Sequence, residues 1–183
     1  MSVVAMVAGI AFGSAIVLLA SFFVTKVERY DRLAEWAFVV FAICAVPTVA
    51  IVGGRLPGSS TVNAVVTVLG ATGAAVIGLG ELGVTLHVVD FRKISALITV
   101  AFLAFLLWIG AVSVVVVTSG GLPVGLGWLG LVAIILGIAI IGSLVRVPGV
   151  LTGTAQPPRV QMVAFFVPMA GIVAWMLWLG LSL

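Results

Sequence analysis

Long apolar stretches alternate with short polar gaps six times along the chain, at residues 3–25, 33–53, 62–86, 94–118, 124–145 and 160–182. Each stretch supplies the ~20 residues that a helix rising 1.5 Å per residue needs to cross about 30 Å of hydrocarbon. In lipid, the backbone N–H and C=O groups of such a stretch are satisfied only within a helix or a closed barrel. The pattern therefore predicts an all-α integral membrane bundle of six transmembrane helices. The connections at 53–60 and 119–124 are short and rich in Gly, Pro and Ser, so neighbouring helices are expected to lie side by side. One transmembrane domain over 1–183 is expected, built as three consecutive helical hairpins at 1–60, 61–120 and 121–183. The first two hairpins align at an offset of sixty residues, Gly13, Thr25 and Arg32 falling on Gly73, Thr85 and Arg92, a pattern compatible with internal duplication. The longest connection, 146–159, holds three prolines and two glycines and is expected to be an irregular loop.

Charge orients the bundle. Lys26, Arg29, Arg32, Arg92, Lys93, Arg146 and Arg159 fall in the first, third and fifth gaps, whereas the second gap holds only Arg55 and the fourth holds no basic residue. Lys and Arg are retained on the cytoplasmic side during insertion, which predicts a multi-pass cell-membrane protein with both termini outside the cytoplasm. Only 7% of residues are charged, far below the quarter or so typical of soluble domains. The basic excess is spread in twos and threes over loops, as topology signals and contacts for membrane lipids, and nucleic acid is not an expected partner. The first apolar stretch has no basic segment before it and Lys26-Val-Glu-Arg directly after it, so a retained helix is expected.

The informative intramembrane residue is Glu81, in Gly78-Leu-Gly-Glu-Leu-Gly83. It lies roughly 13 Å inside the boundary marked by Asp90, and no Lys or Arg occupies the centre of any span. An isolated carboxyl at that depth can act as a hydrogen-bond donor, a proton carrier or a polar group in a water-filled path. At 100° per residue, Asn63, Thr67, Gly70, Ala74 and Thr85 fall within about 40° of Glu81. Glu81, Asn63, Thr67 and Thr85 are thus the candidate lining of a transport path. The same stripe equally suits close helix packing, since small residues let membrane helices approach and hydroxyls bond across the contact.

Other features carry less. Pro47 and Pro168 are candidate kinks in the second and sixth spans. Trp128, Trp175 and Trp178 are expected at the external interface and Trp36 at the cytoplasmic one, with Trp108 deeper and packed. Ser14, Ser21 and Thr25 share a face of the first span, and Thr48 lies one turn beyond Cys44, offering a modest further polar lining. His87, near the cytoplasmic end of the third span, lies about 120° from the Glu81 face. The single Cys44 cannot form an internal disulfide or a Cys-x-x-Cys centre. No Gly-x-Ser-x-Gly elbow, His-Glu-x-x-His pair or phosphate-binding glycine loop occurs. No enzymatic activity, metal or cofactor is expected.

Val24-Thr-Lys-Val-Glu28 after the first span, and Ala71-Thr-Gly73 followed by Asp90-Phe-Arg92, resemble segments of the AmiS/UreI group of urea and short-chain amide channels. That resemblance implies six spans, external termini, a pore within the bundle and a ring of identical subunits. The chain departs from the group in its third helix, where Gly78-Leu-Gly-Glu-Leu-Gly83 replaces an aromatic stretch. Two functions are thus expected: a small-solute channel or proton-linked transporter with Glu81 on its path, or a non-catalytic accessory subunit of a membrane complex. Either predicts a homo-oligomer or association with other membrane subunits, and the first a small polar solute.

Overall fold

A computed structural model describes residues 1–147 and 159–183, without the side chains of 144, 145 and 159–163. The described residues form six helices and no strand: α1 (Val3–Thr25), α2 (Glu28–Gly53), α3 (Ser60–Thr85), α4 (Phe91–Ser119), α5 (Val124–Val145) and α6 (Arg159–Ser182). All six are long and apolar enough to cross a membrane. Most of the 146–159 connection lies outside the described residues.

Helix ends follow capping chemistry. The side chains of Ser2, Ser59 and Asp90 accept from the backbone N–H groups of Ala5, Val62 and Arg92, satisfying donors that a helix start leaves open. The second helix starts at Glu28, five residues before the apolar stretch, because Glu28 and Asp31 in its first turn complement the helix dipole. Lys26 closes α1 in the left-handed region, at φ 58°, its N–H donating to the Phe22 carbonyl. Both α2 and α6 continue through Pro47 and Pro168.

Each helix packs on its neighbours in sequence, across the hairpin boundaries as well as within them, and α6 returns to pack on α1. Among the described residues no helix approaches one across the bundle. The result is a closed ring of six helices. Glycines set the seams. Gly53 meets Thr67 and Gly78 meets Ala42 between α2 and α3, Gly73 abuts the Ala101 carbonyl between α3 and α4, and Gly180 lies on Met6 between α6 and α1. Outward faces carry Val65, Leu79, Val100, Ile135 and Leu181, each at least 60% exposed, which lipid covers.

A ring of six helices spaced 8–10 Å apart leaves a hole at its centre about as wide as one more helix. Large side chains must fill it. The most deeply buried large residues are those of this centre, Phe12, Phe41, Phe105, Trp108, Met169, Ile172, Trp175 and Met176. Their rings run as a chain: Phe12 to Phe41 at 4.8 Å between centroids, Phe41 to Phe105 at 5.4 Å, Phe105 to Trp108 at 5.2 Å and Trp108 to Trp175 at 5.7 Å. The last contact is edge-to-face, at 88°, an arrangement that aligns the positive ring edge with the negative face. Trp175, expected at the membrane interface, is instead part of this plug because its face of α6 points into the ring; Trp36, Trp128 and Trp178 stay outside, 40% or more exposed.

Candidate functional site

The filling of the ring stops short of one end. On the side of the basic loops, a cavity of about 270 Å³ is lined by residues from all six helices: Ile16 and Leu19 of α1, Phe38 of α2, Ile77 and Glu81 of α3, five residues of α4, Ile141 of α5 and Phe165 of α6. Its inner limit is the plug, since Phe102 both lines the cavity and stacks on Phe12 at 6.0 Å. Its rim reaches Phe91, the first residue of α4.

Glu81 is 9% exposed and lines this cavity. Among the described residues its carboxyl forms no hydrogen bond and no ion pair. Its position follows from the local packing of α3. One turn earlier, Gly78 lies against Ala42 of α2, and Gly80 faces Ile94 and Ile98 of α4. Having no side chains, these glycines draw α3 into the ring on both flanks and leave Glu81 facing the interior. Across the cavity, α4 presents Phe91, Ser95, Ile98, Thr99 and Phe102, a helical face carrying hydroxyls one turn apart. Thr99 Oγ1 donates to the Ser95 carbonyl at 2.8 Å.

The charges that act on Glu81 come from α2, Glu35 more strongly than Asp31. These lie one turn apart on one face of that helix, whose next members are Phe38 and Ala42. Three of the chain's five acidic residues thus descend from the basic-loop end toward the cavity. Arg32 and His87 act on Glu35 in the opposite sense. Among the described residues no group of three His, Cys, Asp or Glu side chains is placed to hold a metal ion.

The four path candidates on α3 separate. Thr85 lies one turn from Glu81, donates to its carbonyl at 2.8 Å and stands beside Glu35. Asn63 and Thr67 are at the other end of α3, Asn63 about 27 Å from Glu81 along the axis. Asn63 Nδ2 donates to the Leu56 carbonyl at 2.7 Å and Thr67 Oγ1 to the Asn63 carbonyl at 2.7 Å, and both line a separate, shallow recess between α2 and α3. Between these groups the stripe is packed: Gly70 lies on the Trp108 indole, and Ala74 is fully buried. The structure therefore brings Glu81 and Thr85 together, and leaves Asn63 bonded to the α2–α3 turn and Thr67 bonded within its own helix.

The polar face expected on α1 does not reach the cavity. Ser14 is exposed on the outer surface, and Ser21 and Thr25 donate to the Val17 and Ser21 carbonyls of their own helix. Thr48 donates to the Cys44 carbonyl. His87 is exposed in the turn after α3, at φ 56°. Pro47 and Pro168 lie outside the cavity lining. Sequence reasoning missed Glu35, Ser95 and Thr99. The signal available was spacing, since Asp31 and Glu35, like Ser95 and Thr99, are polar pairs four residues apart at the start of an apolar span.

Deeper in the ring, Trp108 Nε1, Trp175 Nε1 and Ser113 Oγ are buried without a hydrogen-bond partner among the described residues. Ser113 and Trp175 both lie against Gly130 of α5. The inner half of the ring thus presents donors, and the cavity presents a carboxyl. The chain matches no protein-family model, no curated protein and no solved structure.

Proposed function

We propose that this protein is a proton-linked carrier for a small solute, in which Glu81 holds a proton or the solute in turn. The observation that carries this reading is a cavity lined from every helix of the ring, with a carboxyl on its wall that has no hydrogen bond or ion pair among the described residues and an aromatic plug at its inner end. A packing residue would be expected to have its polar atoms bonded to a neighbouring helix, because an unsatisfied carboxyl in hydrocarbon is costly. A cavity closed at one end suits a carrier that opens its two sides in turn better than a continuously open channel. In the orientation that the basic loops predict, this cavity faces the cytoplasm.

One chain supplies lining residues from all six of its helices, so the reading calls for no second copy. The small residues of α3 are already engaged inside the molecule, Gly70 and Gly73 by α4 and Gly78 by α2. To test the reading, purified protein is placed in lipid vesicles holding a pH-sensitive dye, and neutral amides, ammonium and alkylammonium salts are added outside in turn. At least one solute is expected to drive proton movement with the wild type and not with Glu81→Gln, whose amide preserves volume. Absence of solute-driven proton movement in the wild type, or equal movement in the variant, would refute the carrier reading.

A further inference from the structure

We infer that the ligand of this cavity is a lipophilic organic cation about the size of one substituted aromatic ring, held by Glu81 and the surrounding phenylalanine faces. The inference rests on the carrier reading and names its substrate class. Size comes first. A volume of about 270 Å³ falls just below the range of drug-sized pockets, about 300–1,000 Å³, and suits a single-ring molecule.

Lining chemistry narrows the class. Phe38, Phe91, Phe102 and Phe165, with Ile16, Leu19, Ile77, Ile98 and Ile141, offer an apolar body a dry surface, and the aromatic faces attract a cation. Among the described residues the polar groups of the lining are Glu81, Ser95 and Thr99, and the Thr99 hydroxyl is already donated to the Ser95 carbonyl. A polyhydroxylated solute would bury several hydroxyls against hydrocarbon without partners. An anion would meet Glu81 inside and the like charges of Glu35 and Asp31 that act on it from α2. A cation with an apolar body leaves neither partner unsatisfied: its charge neutralises the carboxylate, and its surface matches the walls.

The surrounding charges favour the same sign. On α2, Asp31 and Glu35 add negative potential, countered by Arg32 and, from the turn after α3, by His87. On α4, Arg92 and Lys93 are exposed and outside the lining. Because Glu81 can hold either a proton or the cation, the two compete for one site.

Binding of benzyltrimethylammonium to the purified protein in mild detergent tests this, against neopentylbenzene, a neutral molecule of the same shape. The cation carries no titratable proton, so any proton displaced by it comes from the protein. Saturable binding of one cation per chain is expected, weakening from alkaline to acidic buffer and at least about thirtyfold weaker in Glu81→Gln. Glu81→Asp, which keeps the charge, is expected to retain part of the affinity, and Glu35→Gln, outside the lining, to weaken it only at low salt. Equal binding of the neutral analogue, or wild-type affinity in Glu81→Gln, would overturn the cation assignment. If neutral solutes drive Glu81-dependent proton movement in vesicles and the cation does not bind, the cation class falls and the carrier stands. If the cation binds and no solute moves protons, the site stands and the carrier falls.

Discussion

Replacing Gly73 by alanine tests whether the ring is closed as tightly as its glycine seams require. A methyl group there would stand 2.8 Å from the Ala101 carbonyl oxygen and 2.9 Å from the Phe105 backbone nitrogen. Ordinary contact begins near 3.4 Å, so α3 and α4 would have to part by about 0.6 Å. The atoms in the way are backbone and cannot rotate aside. Moving α4 also moves Phe105, which is 1% exposed and bridges Phe41 and Trp108 in the plug. Overpacking of this kind costs about 1–3 kcal/mol, against which alanine's better helix propensity returns up to about 1 kcal/mol. With the full return the net loss is up to about 2 kcal/mol, which lowers the unfolding midpoint of a chain this long by up to about 8 °C. Gly142→Ala is the control, because among the described residues nothing lies within 4 Å of the added methyl, and it is expected to leave the midpoint unchanged or raised. Thermal unfolding in mild detergent, followed by tryptophan fluorescence, reports the plug through the buried Trp108 and Trp175. A Gly73→Ala midpoint equal to or above that of Gly142→Ala would refute the packing argument.

Two further outcomes are expected. Trp108→Ala should cost about 3–5 kcal/mol and let small solutes leak through reconstituted vesicles without proton movement, because it empties the centre of the plug; vesicles as tight as wild type would show that the barrier lies elsewhere. In a Cys44→Ala background, cysteines at Ser2 and Ser119 should react with an impermeant thiol reagent in intact cells while one at Val88 does not, following the bias of the basic loops; labelling of Val88 alone would invert the orientation.

Six apolar stretches of spanning length leave the backbone few other ways to satisfy its hydrogen bonds in lipid, so helix number and approximate bounds were legible from composition along the chain. Glu81 was legible too, since a carboxyl in such a stretch stands out wherever the helix turns. Its surroundings were not. Helical periodicity places Asn63, Thr67 and Glu81 on one face, but a face about 27 Å long passes several neighbours. Asn63 meets the α2–α3 turn, Gly70 meets Trp108, and Glu81 meets open space. Trp175 and Trp178 are three residues apart on one helix, yet one fills the plug and the other stays outside. Those differences arise from ring closure, because the return of α6 onto α1 determines which sides of the helices face inward. The ring also brings Glu35 of α2 and Ser95 of α4 toward Glu81 of α3. A single-helix pattern records which residues share a face, and only the tertiary arrangement decides what that face meets at each depth.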